Sequence, residues 1–217
     1  MSDPRLIAAV ETLIAQHARP GHVPLIAISG AQGSGKTTLA RAVAARTGAV
    51  HLSLDDVYLT RVERDHLART VHPLFATRGP PGTHDLALLN RVVDTLSGAG
   101  PDDRTPLPAF DKLADDRLPP GAWPVFTGRP TAILLDGWCL GAAPQTAVAL
   151  AEPVNGLERA RDPDGRWRRA VNDQLAGPYR ALFARFDALL FLCAPAFEVV
   201  LDWRCEQEAG LMGLAAA

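Results

Sequence analysis

Lysine is nearly absent from this chain. Among 217 residues and 22 basic side chains there are two, Lys36 and Lys112, and every other basic residue is arginine. Arginine is a broad planar fork, whereas lysine is a compact point charge on a slim stem. The two retained lysines therefore mark positions where compactness matters. Cysteine is scarce as well. Cys139, Cys193 and Cys205 are an odd number without metal-ligand spacing, which predicts reduced thiols in a cytoplasmic protein rather than a disulfide framework. Long apolar runs are missing. "TAILL" and "ALLFLCA" are strand-sized and too short to cross a bilayer. The opening "MSDPRLIAAVETLIAQHARP" lacks the charge order and apolar length of a secretory signal. It reads as an amphipathic helix with Leu6, Val10, Leu13 and Ile14 on one face. Excess charge is absent too: a formal net charge of −2 gives no reason to expect nucleic acid or an anionic membrane as partner. The local basic stretch "RDPDGRWRR" (161–169) is read as an exposed face or loop packing Trp167.

What remains is a chain 47% apolar, enough for one domain with a sizeable core and a subordinate lid or insertion. Four short apolar runs, 24–29, 49–54, 131–136 and 187–194, read as buried strands. Helical spacing follows the first from Lys36 to about Arg46, with Leu39, Val43 and Ala44 inward and Gly48 as the stop. Residues 59–76 read as a polar-faced helix. "RGPPGTHD" (78–85) is turn chemistry leading into a helix with Thr83 as N-cap and Leu86, Leu89, Val93 and Leu96 as its stripe. Seven prolines between Pro101 and Pro130 predict an irregular loop region with short hairpin pieces. Residues 171–186 read as a helix interrupted at Gly177-Pro178, and 196–209 as a further helix. Alternating strands and helices predict an α/β fold with a mostly parallel sheet and helices on both faces, in three layers. In such folds ligands gather at the carboxyl ends of the strands.

"GAQGSGKTT" (30–38) follows the first strand and opens the first strand-following helix. Its G-x-x-x-x-G-K-T spacing lets glycines turn backbone N–H groups toward phosphates, adds the partial charge of a helix N-terminus, brings Lys36 to the β and γ phosphates and puts the Thr37 hydroxyl on Mg²⁺. "LDDVY" places Asp55 and Asp56 just past the second strand. One of them can serve as base or aligner for a hydroxyl; the plainer reading is a helix cap. "ILLDGW" ends the third strand on Asp136, the arrangement of a carboxylate that steadies Mg²⁺; the plainer reading is a strand-end turn with Gly137. Arg78, His84, Asp85, Asp111, Lys112 and Arg117, in "RGPPGTHD" and "PAFDKLADDR", either hold a small polar acid or belong to two solvated loops, and residue chemistry alone leaves both open. No N-K-x-D string for guanine occurs, which argues against a GTPase switch.

The order "GAQGSGKTT", "LSLDDVYLT", "RGPPGTHD", "PAFDK…DDR", "ILLDGWCLG" and "WRCEQE" resembles the D-glycerate 3-kinases of the plant and fungal type, within the P-loop kinase group of uridine kinase, phosphoribulokinase and pantothenate kinase. The resemblance runs from about residue 24 to 208. It implies a single P-loop kinase domain over 1–217, with 101–130 a substrate-side loop region and 196–217 a shortened lid segment. It implies that Gly30, Ala31, Gln32, Gly33, Ser34, Gly35, Lys36, Thr37 and Thr38 bind ATP, and that Thr37 and Asp136 serve Mg²⁺. Asp55 falls on the family's base, with Asp56 as fallback. Asp56, Tyr58, Arg78, His84, Asp85, Asp111, Lys112 and Arg117 would line the acceptor pocket, and Arg204 would belong to a lid helix. The implied partner is a small hydroxy acid, with no nucleic acid or membrane involved; oligomeric state is not legible. Three departures stand out. The family usually has Phe where Val57 stands and often Glu where Asp136 stands, a methylene longer, which implies a water between Asp136 and the metal. Family members also continue for several dozen residues beyond "WR..QE", which keeps open a catalytically silent nucleotide-binding protein; within the enzyme class the alternative is a kinase for another metabolite, such as a nucleoside or pantothenate.

Overall fold

The computed structural model describes residues 3–196, 198–201, 203 and 205. In chain order the elements are α1 (Pro4–His17), β1 (Leu25–Gly30), α2 (Lys36–Thr47), β2 (Val50–Ser53), α3 (Arg61–Thr70), α4 (Leu86–Gly98), β3 (Arg104–Pro106), β4 (Phe110–Asp111), β5 (Asp116–Arg117), β6 (Val125–Thr127), β7 (Ile133–Gly137), α5 (Gly156–Arg161), α6 (Arg166–Gln174), α7 (Arg180–Phe183) and β8 (Ala188–Leu192). They fall into two compact units. The first comprises Met1–Ser53, Arg129–Leu140 and Phe186–Ala217; the second comprises Leu54–Gly128 and Gly141–Arg185.

The first unit carries a four-stranded sheet in the order β2-β7-β1-β8. All three pairings are parallel, with Ile28 opposite Asp136 and Ser53 opposite the same residue on the other side. These strands are the four apolar runs of the sequence, within two residues at each end. Every residue of β1 and of β7 is buried, so the centre of the sheet is covered on both faces. Val10 and Ile14 of α1 and Leu39, Ala40 and Val43 of α2 pack with Ile26, Ile28 and Leu134 in one core cluster. α1 starts cleanly because Asp3 caps it and Pro4 occupies its first turn. Gly48 ends α2 in the left-handed conformation, as the sequence predicts. The parallel sheet with its helices is the three-layer α/β P-loop class expected from the residues.

The second unit holds the helices α3 to α7 and two small antiparallel pairs, β3 with β6 and β4 with β5. These pairs are the short pieces expected inside 101–130. Two expectations change here. The polar-faced helix of 59–76 stops at Thr70, and Pro73–Ala76 forms a separate 3₁₀ turn, because Pro73 has no N–H to continue the ladder. The N-cap of α4 is Asp85, not Thr83. The Asp85 side chain accepts from Leu88 N, while Thr83 is fully buried and its hydroxyl donates to Pro80 O inside its own loop. At 175–179 the helix widens into a π turn around Pro178, the interruption that Gly177-Pro178 predicts.

Polarity inside this unit is organised by Arg64. It is fully buried, and its guanidinium donates to Leu59 O (2.8 Å), Ala76 O (3.3 Å), Asp115 O (2.9 Å) and Asp115 Oδ2 (2.7 Å). One charge thus ties the start of α3, the 3₁₀ turn and the β4–β5 loop together, and that burial is tolerable because each nitrogen of the fork has an acceptor. Arg168, in the basic stretch 161–169, is likewise buried, donating to Leu150 O and Asp162 O. Among the described residues no helix is long and apolar enough to cross a membrane.

Leu134 lies in β7, an interior strand, and is fully buried. Leu134→Ala is expected to destabilise the protein by about 2–5 kcal/mol through lost burial and a residual cavity. Urea titration followed by circular dichroism would show this as a lower midpoint at an unchanged slope.

Candidate functional site

The phosphate loop links β1 to α2 in the first unit. Gly30 sits at φ 151°, and a Cβ there would stand 2.7 Å from Leu192 O, so only glycine fits against β8. Gly35, at φ 83°, is the N-cap residue of α2 and makes no side-chain cap, which leaves the first N–H groups of the helix directed outward. Lys36 Nζ donates to Ala31 O at 2.7 Å, so the lysine folds back over the loop. Ser34 Oγ is buried with no hydrogen-bond partner. Gln32, Gly33 and Thr38 are exposed, with Thr37 half-buried beside them. An orphaned hydroxyl inside a glycine loop, next to a lysine and a helix N-terminus, fits a phosphate group.

Asp136 anchors this half. It is 2% exposed. Ser53 Oγ donates to its Oδ1 at 2.6 Å, and His51 Nε2 stands 3.1 Å from its Oδ2. Burial alone would raise the carboxyl's pKa, but the bonds and charge from His51, with those from Ser53 and Thr37, outweigh it and hold the group below its ordinary value. Thr37 and Asp136, the expected Mg²⁺ pair, are therefore near enough for the hydroxyl to lower the carboxyl's pKa. His51 and Ser53 were not identified from sequence. Their signal was the i, i+2 spacing on β2, which puts both on one face, but only the parallel register with β7 reveals what they face. A hydroxyl and a charged carboxylate are hard oxygen donors that suit Mg²⁺, an ion that keeps several waters and shares substrate phosphates.

The second unit gathers the other candidates. Residues 57–59 pair with 83–85: Leu59 N donates to Thr83 O (2.9 Å) and Asp85 N to Val57 O (2.7 Å). This bridge places Tyr58 against His84, their rings stacked with centroids 4.4 Å apart, and Phe110 meets Tyr58 edge-on at 5.4 Å. Tyr58 OH donates to Asp55 Oδ1 at 3.0 Å, and Lys112 Nζ reaches Asp55 Oδ2 at 3.3 Å. Asp55, Tyr58, His84 and Lys112 thus form one cluster. Asp56, half-buried, follows Asp55 in the 3₁₀ turn Leu54–Val57.

The remaining candidates flank it. Arg78 pairs with Asp115 and lies over the Phe110 ring, 5.6 Å from its centroid. Asp111 accepts from Leu113 N and Ala114 N, so it shapes the β4–β5 turn. Arg117 donates to Asp85 Oδ2 at 3.0 Å, and both line a cavity of about 360 Å³ with Thr60, Arg91 and Trp123. Arg204 and most of the proposed lid segment lie outside the described residues.

His84 is the most perturbed group here. Burial pushes its pKa from 6.5 down to about 3, against a small opposing pull from Asp55. Because the folded value is depressed, the unfolded chain binds the proton first as pH falls. Stability from this residue is complete above about pH 6.5 and is lost progressively toward about pH 3. Asp136 loses its contribution only below its ordinary value of 3.8. His84→Gln is therefore expected to flatten the fall of stability between pH 6.5 and 4, read from urea midpoints across pH. Parallel slopes for both proteins in that window would show that His84 is not held neutral by the fold.

Among solved structures, D-glycerate 3-kinase from Cryptococcus neoformans var. grubii is 23% identical with a TM-score of 0.79, over 99% of this chain and 83% of that one. The YGR205w protein is 26% identical with a TM-score of 0.67, over 100% of this chain and 81% of that one. No curated protein sequence matches. A family profile described as AAA domain matches residues 25–138, from β1 through the Asp136 strand and beyond, which is more than half of the sequence. The phosphate loop on β1, its lysine and the strand-end carboxylate on β7 thus lie within that match, and the chain belongs to the AAA domain family.

Proposed function

We propose that the protein is an ATP-dependent kinase that transfers the γ-phosphate to a hydroxyl of a small hydroxy acid, D-glycerate first among them, giving 3-phosphoglycerate. The observation that carries this reading is the Asp55 cluster. A half-exposed carboxylate held by a phenol and a lysine, beside a buried neutral imidazole, suits a hydroxyl that must be aligned and an acid group that must be paired. The name of the fungal relative, D-glycerate 3-kinase, agrees with that chemistry.

In this reading the loop 30–38 holds the nucleotide phosphates through backbone N–H groups, with Lys36 leaving Ala31 O for the transferred group. Thr37 and Asp136 would hold Mg²⁺, which supplies neutralisation of charge on the phosphates. Asp55 orients the acceptor hydroxyl and takes its proton as the oxygen attacks the γ-phosphorus and the bond from that phosphorus to the departing ADP breaks. Tyr58 and Lys112 keep the carboxylate aimed, and Lys112 supplies the compact positive charge that the acceptor's own carboxylate needs. An unpaired carboxylate removed from water is costly, so a cation must meet it. Arg78 supports this arrangement from behind, by holding Asp115 and the loop that carries Lys112.

Asp55→Asn is expected to lower kcat by at least about a hundredfold, since proton removal matters at the transition state. Nucleotide affinity should change little. Coupled ADP release and nucleotide titration measure the two separately, and a variant with full kcat would refute Asp55 as the base.

The acceptor class is tested with Lys112→Ala. The loss of one charge-assisted contact should raise KM for D-glycerate by about tenfold or more, with KM for ATP nearly unmoved. Glycerol, which lacks the carboxylate, should be a poor substrate of the intact protein and indifferent to the substitution. Equal use of glycerol and glycerate would remove the hydroxy acid from the reading.

A further inference from the structure

The cavity of about 360 Å³ beside α4 lies wholly within the second unit, and phosphoryl transfer as described above makes no use of it. Its volume is that of small-molecule sites, which run from about 300 to 1,000 Å³. None of Asp55, Tyr58, His84 and Lys112 lines it, so it is a separate place from the cluster that aligns the acceptor hydroxyl.

The walls come from two directions. Leu88 and Arg91, three residues apart on α4, share one face of the helix and form one side. The loop after β5, from Leu118 to Trp123, forms the other. Two features stiffen that loop. Adjacent prolines, Pro119 and Pro120, fix its backbone, and the Trp123 indole N–H donates to Leu118 O at 2.7 Å. Leu88, Leu118 and Trp123 are only half-buried, which leaves part of their apolar surface uncovered.

Charge in the cavity is unevenly matched. Arg117 donates to Asp85 Oδ2 at 3.0 Å and stands 3.7 Å from Glu63 Oε2. Asp85 in turn accepts from Leu88 N, which fixes it at the start of α4. Arg91 differs. It is exposed, and its guanidinium has no hydrogen bond or ion pair among the described residues. One guanidinium without a partner balances one negative charge. A second negative charge on the same ligand would face Asp85 and Glu63 with nothing left to neutralise it. A hydroxyl-rich acid such as D-glycerate fits poorly as well. Its hydroxyls would lie against Leu118, the prolines and the indole, losing water without gaining partners.

We propose that this cavity binds a monocarboxylic acid with an apolar body, the carboxylate paired with Arg91 and the body packed between Leu88 and the Leu118–Trp123 wall. A guanidinium fork meets a carboxylate through two parallel N–H···O bonds, which orients the acid, and the apolar walls supply burial. Binding there requires neither nucleotide nor turnover, so the site is independent of the kinase reading.

The test is a ¹⁹F NMR titration of the intact protein with 4-fluorobenzoate. Saturable binding with Kd below about 1 mM is expected. 4-Fluorobenzamide keeps the ring and lacks the charge; fluoroacetate keeps the charge and lacks the apolar body. Each should bind at least about tenfold more weakly. Arg91→Ala, an exposed change outside the core, should weaken 4-fluorobenzoate binding by about tenfold or more, and Arg91→Lys by less. D-glycerate at about 10 mM should not displace the bound probe. The proposal is overturned by no saturable binding up to about 10 mM, by an affinity indifferent to Arg91→Ala, by equal binding of the amide or of fluoroacetate, or by displacement with D-glycerate. A protein without turnover that still binds 4-fluorobenzoate through Arg91 would count against the kinase reading and leave the cavity assignment standing.

Discussion

A buried carboxylate sets the terms for the nucleotide half of this protein. Asp136 stands at the end of an interior parallel strand, where an ion without partners would be strongly disfavoured. Two side chains of β2 hold it, His51 and Ser53, and Thr37 in the first turn of α2 helps to keep its pKa low. The same bonds fix β2 against β7. The phosphate loop is shaped in addition by the glycine-only approach of Gly30 to Leu192.

The second unit solves a different problem, the pairing of many charges. Each cation that the sequence offers as an anion binder has a carboxylate assigned to it: Lys112 with Asp55, Arg78 with Asp115, Arg117 with Asp85. These pairs are not equivalent. Arg78 and Asp115 belong to the network around the fully buried Arg64, which holds the loops in register. Lys112 sits on a short hairpin, is about a third exposed, and shares its carboxylate with the Tyr58 hydroxyl. Arg64 uses the fork of arginine to bridge several backbone carbonyls, whereas Lys112 places a compact charge beside Asp55.

Much of the fold was legible. The four strands announced themselves as isolated apolar runs, and α2 was bounded by the loop glycine before it and Gly48 after it. The break at Gly177-Pro178 was visible as backbone chemistry. Errors arose where side chains of similar character compete. Thr83 and Asp85 are both good caps, and only the folding of "RGPPGTHD" back on itself, with Thr83 buried against Pro80, leaves Asp85 to cap α4. Of the site candidates, Lys36, Thr37 and Asp136 could be placed by motif, and Asp55, His84 and Lys112 could be named but not grouped.

The sequence alone determined the alternation of elements, the phosphate loop and the carboxylates after the strands, because these depend on local periodicity and on glycine's backbone freedom. The partnerships were decided by tertiary structure. That His51 and Ser53 face Asp136, that Tyr179 meets His84 across 95 positions of chain, and that Arg64 is interior all follow from strand register and loop closure. A side chain's type states what it can bond, but which groups come within 3 Å is fixed only when distant segments pack.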